Sequence, residues 1–288
     1  LRDMGGVPGA VLTRVASSHI RVGTFQFFAA RQDIDALNLL TEHVIARHYP
    51  EATGALDLLK GAVARQAELI AAWISVGFIH GVMNADNADV AGETIDYGPC
   101  AFMDTFQSAK VYSSIDHYGR YAFDAQPGIG AWNMAQLATC LLPLIHDDQD
   151  EAVTLATEVV QGFPKLYEAA FLRRFRAKLG LTTEDAGDRK LILDFLDAME
   201  EGRADFTNSF RGLIDGTAKD WFTDRGAFEA WLPAYEVRLA AQGGADLEAM
   251  AKANPTVIPR NHQVEAAIQA ATKGDYTRFQ DLLAVVTQ

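Results

Sequence analysis

Cysteine is scarce in this chain of 288 residues, since only Cys100 and Cys140 occur. Neither belongs to a CxxC pair or to a cluster of cysteine and histidine. A disulfide framework or a zinc site needs more thiolate and imidazole ligands than this. The simplest interpretation is two unpaired, buried thiols in a reducing cytosol.

Positive charge is also in short supply. The chain has 25 Lys and Arg against 38 Asp and Glu, which gives a formal net charge of -13. General binding to nucleic acid depends on basic side chains that neutralise backbone phosphates. The composition therefore argues against a nucleic-acid partner, although a local basic pocket remains compatible with it.

No long hydrophobic run is present. The most apolar stretch, residues 69–83, is shorter than the roughly 20 residues of a membrane-spanning helix, and it predicts a buried helix. The first residues lack the basic-then-apolar order of a secretory signal. We expect no membrane partner and a cytoplasmic, bacterial-type location.

The hydrophobic content of 49% and the charged content of 22% are ordinary for a globular protein. With no repeat and no low-complexity linker, residues 1–288 predict one compact, mainly α domain with a short β component. Alternation of apolar and polar residues over 8–29 predicts a strand or two. A short hairpin is predicted over 90–97 and an irregular segment over 100–130. Helices are predicted over 33–48, 56–78, 132–144, 148–161, 165–179, 188–200, 206–214, 225–242, 246–253, 263–273 and 277–286, with a capping box at Thr182 and Asp185.

The chemistry is concentrated in residues 80–87, His-Gly-Val-Met-Asn-Ala-Asp-Asn, and 93–99, Glu-Thr-Ile-Asp-Tyr-Gly-Pro. Amide and carboxylate oxygens suit Mg²⁺, which takes one or two protein carboxylates and leaves its other positions to water and phosphates. Asn87 and Asp96 are the candidate metal ligands. The alternative is that Asn87 stabilises a turn and Asp96 caps a strand end.

Many small-molecule kinases read His-Gly-Asp-x-x-x-x-Asn at a comparable loop. When His80 and Asn87 are aligned with that pattern, Val82 stands where the catalytic Asp should be. The loop therefore resembles a kinase loop without its base. Asp86 is the candidate general base, and its alternatives are a turn carboxylate or an outer-sphere metal ligand.

The form of this loop, with Ile-Asp-Tyr-Gly-Pro after it, resembles the SelO family of protein adenylyltransferases, which have a pseudokinase fold. The resemblance runs nearly from end to end. Its other motifs are residues 8–26, Gly119-Arg120-Tyr121, Gln126-Pro127, Trp132-Asn133, Asn254-Pro255 and Arg260-Asn261. Two departures are Ala85, where Thr is common, and Cys100 after the proline.

The resemblance implies a protein-kinase-like C-lobe with additional C-terminal helices. It also implies transfer of AMP from ATP to Ser, Thr or Tyr hydroxyls of proteins, with Mg²⁺ or Mn²⁺ as the metal. Arg14 and Arg21 match an Arg-x₆-Arg motif that is implied to contact the nucleotide, together with Asp96. Without the resemblance, both arginines would be interpreted as surface residues on a strand.

Further roles are predicted around this loop. His80 is expected to hold the loop backbone by a hydrogen bond. Asp116, Arg120 and Tyr121 are expected either to shape the acceptor site or to form an ion pair that holds an irregular segment.

Compared with the family, the chain is expected to lack the N-terminal nucleotide lobe and the C-terminal Cys or selenocysteine tail. This predicts little activity for the chain alone. The alternatives are a kinase-like phosphotransferase and a nucleotide-binding lobe without catalysis.

Overall fold

A computed structural model describes residues 11–287, which fold mainly into α-helices. The N-terminal helices are α1 (Val22–Ala29), α2 (Ile34–His48), α3 (Ala55–Ser75), α4 (Gln126–Ile145), α5 (Gln149–Gln161) and α6 (Phe163–Lys178). They are followed by α7 (Asp188–Glu201), α8 (Phe206–Asp215), α9 (Gly226–Gln242), α10 (Leu247–Ala253), α11 (Asn261–Ala271) and α12 (Thr277–Val286). The predicted class, mainly α with a short β component, is confirmed.

Helix α3 lies in the middle of the core. Its buried residues recur at i, i+3 and i+4 spacing and include Leu58, Ala62 and Ile70, each 0% exposed. Such a broad apolar face must be covered by several neighbours, and α3 contacts α2, α4, α5 and α6. It ends earlier than predicted because Gly77 adopts a φ of +70° and turns the chain into a strand.

The β component is one antiparallel pair, β1 (Phe78–Ile79) with β2 (Ala101–Phe102), in which Phe78 lies opposite Phe102. The hairpin predicted over 90–97 is wrong, because these residues form turns and irregular backbone. The buried side chains of Val90 and Ile95 account for the misleading pattern, since they anchor a loop to the core. Residues 80–100 are thus a long loop whose two ends are joined by the β1–β2 pair.

The strand predicted over 8–29 is also wrong. Residues 8–10 lie outside the described part, residues 11–20 have no regular structure, and 22–29 form α1. The first apolar residues of the alternating stretch face no core, as Val11 is 97% and Val15 is 92% exposed. Helix α1 instead buries Val22 and Phe25, which have helical spacing.

The later helices follow the predicted order, with small shifts at their ends. Helix α4 begins at Gln126 rather than at residue 132, with Pro127 in its first turn, where the missing N–H costs nothing. The predicted capping box is wrong: the carboxylate of Asp185 accepts the N–H of Gly187, and α7 begins at Asp188. Both cysteines are free, as predicted; Cys140 is buried and Cys100 is half-buried.

By length and composition, α4 could cross a membrane, and it is the one such helix in the part of the chain that the structure describes. Here it contacts α1, α3 and α5. Met134, Leu137 and Leu141 on α4 are 0% exposed and belong to the core.

Arg260 ties the C-terminal helices to the rest of the fold. It lies just before α11, and its Nη1 is 2.6 Å from carboxylate oxygens of both Asp104 and Asp205. Asp104 follows β2, and Asp205 caps α8 by accepting the N–H of Asn208. The two carboxylates raise the pKa of the Arg260 guanidinium, so this junction stays charged.

Lys178 is an unusual member of the core. Its side chain is 1% exposed, and its Nζ lies 4.2 Å from the ring centroid of Phe210 and 5.7 Å from that of Phe206. No carboxylate pairs with it among the described residues. Burial lowers the pKa of Lys178 to about 7, because an ammonium without a counterion is poorly solvated there.

The Lys178→Met substitution should stabilise the protein, and the gain should shrink as pH rises. Between pH 7 and about 10.5 the unfolded state binds more protons at Lys178 than the folded state, so the stability of the unmodified protein rises with pH. At pH 7 we expect a gain on the order of 3 kcal/mol. Urea unfolding at pH 7, 8 and 9 measures it.

The control is Lys190→Met, because Lys190 is exposed and pairs with Asp194. Its effect should be small and nearly independent of pH over this range. If the gain in the free energy of unfolding from Lys178→Met does not change between pH 7 and 9, burial does not lower the pKa of Lys178.

Candidate functional site

His80 anchors the long loop at its base. The ring is 0% exposed, lies 5.3 Å from the ring of Trp73, and its Nε2 is 2.8 Å from the carbonyl oxygen of Ile95. Burial lowers the pKa of His80, so the neutral ring with the proton on Nε2 donates to that carbonyl. The predicted role of His80 in holding the loop backbone is confirmed, and it fixes the residue before Asp96.

Two buried amides on α4 hold the first half of the loop. Gln126 accepts the N–H of His80 at 3.0 Å and donates to the carbonyl of Phe78 at 3.0 Å. Asn133 donates to the carbonyl of Met83 at 3.0 Å. Both amides are nearly or completely buried, so their hydrogen bonds replace those that the irregular backbone would otherwise make with water.

Arg14, Arg21 and Asp96 come together directly. Nη1 of Arg14 is 2.5 Å from Oδ1 of Asp96, and Nη2 of Arg21 is 2.9 Å from its Oδ2. The three side chains remain partly accessible, between 28% and 42% exposed. Asp96 itself has a φ of +57°, a conformation that Asp tolerates better than most residues.

A short backbone pairing places Arg21 beside the loop. The N–H of Val22 donates to the carbonyl of Ala88, and that of Val90 donates to the carbonyl of Ile20, so Arg21 lies opposite Asp89. In this antiparallel arrangement the two opposite side chains are at their closest. The arginine is therefore held next to the segment that follows Asn87.

Asp89 is a site residue that the sequence analysis missed. Its carboxylate is 0% exposed, with Oδ1 accepting the N–H of Ala91 at 2.6 Å and Oδ2 without a partner among residues 11–287. Burial raises the pKa of Asp89 to about 6. The only signal in the sequence is a carboxylate inside the apolar run from Ala88 to Ala91, and nothing in that pattern points to Arg21.

Asp86 and Asn87 lie on a short 3₁₀ turn, Ala85–Asn87, that packs against the start of α1. A Cβ at Gly23 would lie 3.2 Å from Cα of Asp86, so a larger residue would press against the backbone of the turn. Asp86 is exposed, and Asn87 is half-buried. Nδ2 of Asn87 donates to the carbonyl of Val82 at 3.0 Å, which fixes the amide and leaves Oδ1 as its acceptor.

The predicted metal ligands were tested against this geometry. Over residues 11–287, no three or more His, Cys, Asp or Glu side chains form a group that could enclose a metal ion. An oriented amide oxygen of Asn87 with the carboxylate of Asp96 nevertheless fits Mg²⁺, which needs few protein ligands. Both oxygens of Asp96 are engaged by arginines in this state. The roles assigned to Asp86, Asn87, Asp96, Arg14 and Arg21 remain predictions.

The segment before α4 is held by hydrogen bonds rather than by the ion pair considered above. The carboxylate of Asp116 accepts the backbone N–H of Arg120 at 2.9 Å and that of Tyr121 at 2.8 Å. The Tyr121 hydroxyl donates to the side-chain oxygen of Asn84. Arg120 forms no ion pair with Asp116, so that alternative is wrong, and Tyr121 connects this segment to the loop of Asp86.

Comparisons with known proteins agree with the motifs of this site. A family model described as protein adenylyltransferase SelO matches residues 2–287. The protein nucleotidyltransferase YdiU of Ruegeria sp. (strain TM1040) is 58% identical over 280 residues, which cover 97% of this chain and 59% of that protein.

Two further relatives carry the same description. That of Rhodopseudomonas palustris (strain BisB5) is 56% identical over 296 residues, with 97% of this chain and 60% of the relative covered. That of Jannaschia sp. (strain CCS1) is 54% identical over 282 residues, with 96% and 58% covered. The chain thus spans about 60% of the length of the curated relatives it matches.

The His80→Ala substitution should loosen the loop as well as destabilise the fold. It removes the hydrogen bond to Ile95 and leaves a cavity beside Trp73, at an expected cost of about 2–4 kcal/mol in the free energy of unfolding. Hydrogen exchange should also speed up at the N–H of Gly98, which donates to the carbonyl of Asp96.

His48→Ala is the matched control, because His48 is also buried but lies at the end of α2. It should destabilise the fold through lost packing while leaving exchange at Gly98 unchanged. Equal acceleration at Gly98 in both variants would mean that His80 has no particular role in holding the loop.

Proposed function

The chain belongs to the SelO family of protein adenylyltransferases, and on this basis we propose that the protein of which it forms part transfers AMP from ATP to a Ser, Thr or Tyr hydroxyl of a protein. The observation that carries the proposal is the cluster of Arg14, Arg21 and Asp96. In this cluster two arginines, which suit phosphate, contact a carboxylate, which suits a metal ion. The cluster lies beside the loop that carries Asp86.

Arg14 and Arg21 bind the phosphates of ATP in this proposal. A guanidinium donates two parallel hydrogen bonds to a phosphate as readily as to a carboxylate. The arginines of the cluster therefore have a resting partner in Asp96 and exchange it for the nucleotide. The pairing of Arg21 with Asp89 along the backbone keeps its Cα in place during this exchange.

Asn87 and Asp96 hold Mg²⁺ or Mn²⁺ in the same proposal. When bound, the metal neutralises charge on the phosphates. Asn87 contributes an oxygen that its bond to Val82 already orients. Asp96 becomes available as the arginines turn to the phosphates, and the anchored carbonyl of Ile95 keeps it at the mouth of the loop.

Asp86 accepts the proton of the acceptor hydroxyl. The hydroxyl oxygen then attacks the α-phosphorus of ATP, the bond to the bridging oxygen breaks, and pyrophosphate leaves. An exposed carboxylate on a turn fixed against Gly23 is accessible to a protein substrate. The reaction occurs in the cytoplasm in this proposal, where ATP is abundant.

A kinase-like transfer of the γ-phosphate is less well supported. Kinases place a catalytic Asp in this loop, and here that position is Val82, whose carbonyl serves Asn87. A lobe that binds nucleotide without catalysis is the remaining alternative. Two measurements distinguish AMP transfer, phosphate transfer and binding without catalysis. They are the position of the transferred label in ATP and the effect of a substitution at the cluster.

The first test is transfer of label from ATP to a protein acceptor in the presence of Mg²⁺ or Mn²⁺. We expect label from the α-phosphate, and none from the γ-phosphate, when a longer relative such as the Ruegeria protein is the enzyme. Replacing by Ala the carboxylate that corresponds to Asp96 should abolish transfer. The 288-residue chain alone should be weakly active or inactive.

Gln32→Ala, an exposed residue after α1, is the control position in both proteins. Transfer of the γ-phosphate alone would replace the proposal with a kinase. Nucleotide binding with no transfer from either position, in the longer relative as in the chain, would leave a non-catalytic lobe.

If Asp96 exchanges its arginine partners for a metal ion, a second prediction follows. Arg14→Gln removes one of the two cations that compete with a metal for this carboxylate, so Mn²⁺ alone should bind about threefold more tightly. The same change removes a charge-assisted donor to the phosphates, so ATP without metal should bind about tenfold more weakly. Electron paramagnetic resonance of free Mn²⁺ and calorimetry with ATP measure the two affinities.

Arg31→Gln is the matched control, since Arg31 is exposed and stacks over Phe27 at the end of α1. It should change neither affinity. Parallel weakening of Mn²⁺ and ATP by Arg14→Gln would contradict the exchange and indicate a general loss of structure at the cluster.

A further inference from the structure

A cleft of about 680 Å³ opens beside the loop of Asp86. One wall is formed by Val82 and Asn84 of that loop, and the opposite wall by the turn that contains Ile115, Tyr118 and Arg120. Because Asn84 is two residues from Asp86, a chain lying in this cleft would pass close to the candidate base. We call it the acceptor cleft.

The walls of the acceptor cleft are fixed relative to each other. Asp116 closes the turn through the backbone N–H groups of Arg120 and Tyr121, and the hydroxyl of Tyr121 reaches across to Asn84. Tyr121 is only 9% exposed. A preformed cleft lowers the entropic cost of binding, because its walls need not be ordered when a ligand enters.

The rim of the acceptor cleft presents two large apolar side chains to solvent. Tyr118 is 99% and Ile115 is 71% exposed. Apolar side chains around a preformed cleft are typical of binding sites, where their burial contributes affinity. Tyrosine is well suited to this role, because it offers a large contact area at a small cost in conformational entropy.

The rim also carries a positive charge in an acidic protein. Arg120 is exposed and pairs with no carboxylate in the described part of the chain. Its guanidinium lies 4.9 Å from the ring of Trp132 and 5.7 Å from that of Tyr121, which hold it at the cleft. The net charge of -13 disfavours an acidic partner elsewhere on the surface. An unpaired arginine at the cleft attracts an acidic side chain to this place.

We propose that the acceptor cleft binds an extended protein segment in which the acceptor hydroxyl is flanked by an apolar residue and an acidic residue. Ile115 and Tyr118 contact the apolar side chain, and Arg120 pairs with the carboxylate. This places the hydroxyl near Asp86. The inference rests on the proposed function, because a bound segment is modified only if the protein transfers AMP. The binding of the segment itself needs no nucleotide.

The test measures binding of fluorescein-labelled dodecapeptides to the whole chain by fluorescence anisotropy, without ATP. One peptide has Leu-Ser-Glu at its centre, a second has Leu-Ser-Lys, and a third has Gly-Ser-Glu. The first should bind most tightly. Arg120→Glu should weaken binding of the Glu peptide about tenfold and reverse the preference in favour of the Lys peptide.

Tyr118→Ala should weaken the two Leu peptides about threefold and affect the Gly peptide least. The matched controls are Arg278→Glu and Tyr276→Ala, exposed residues at the C-terminal helix α12, which should leave every affinity within twofold. Circular dichroism checks that each variant is folded.

Three results would overturn the proposal: no binding of any peptide, an equal effect of Arg120→Glu and Arg278→Glu, or a dimer of the chain that Tyr118→Ala dissociates. The last would assign the cleft to a second copy. Because no ATP is present, failure of AMP transfer leaves these measurements unaffected. Transfer without the expected peptide preference would instead reject the cleft and keep the proposed function.

Discussion

The candidate site depends on the way an irregular loop of about twenty residues is held without a sheet. Residues 80–100 make few backbone hydrogen bonds to one another, and the residues that flank them pair as β1 and β2. Unpaired backbone groups that are buried cost stability unless a side chain satisfies them. His80, Gln126 and Asn133 supply these partners from the core, so the position of Asp96 depends on bonds made by buried residues.

Four of the nine buried polar side-chain atoms that have no partner among the described residues lie in the same region. Nδ1 of His80, Oδ1 of Asn133, Oδ2 of Asp89 and Nε of Arg21 are buried and have no partner among the described residues. Each such group carries a desolvation penalty, and native proteins keep few of them. The other five belong to His48, Arg174, Thr207, Ser209 and Asn254 on other elements, so such groups are not confined to this loop.

Sequence reasoning predicted the long helices well because their apolar residues repeat at helical spacing and face a core. It failed where apolar residues alternate for another reason. The exposed Val11 and Val15 have no core to face, whereas Val90 and Ile95 are separate anchors of a loop. Alternation reports burial of every second side chain, and it cannot tell a strand from a loop that is pinned at two points.

Motif resemblance located Arg14, Arg21 and Asp96, but it could not show that they bind one another before any ligand is present. That contact joins residues 82 positions apart, and local pattern carries no information at such a distance. Asp89 was missed for the same reason: its relation to Arg21 arises from a single backbone pairing between α1 and the loop. Motif resemblance thus predicted most of the side chains that lie together here, whereas Asp89 and the contacts between the charged groups required the fold.

The charges of the cluster lead to one more step. Two arginines with one carboxylate leave the cluster itself with one net positive charge, although Asp86 and Asp89 lie near it and the chain has a formal charge of -13. In the proposed function, Asp96 therefore acts twice. It keeps the arginines positioned and partly neutralised before phosphates bind, and it becomes a free carboxylate once phosphates take the arginines away.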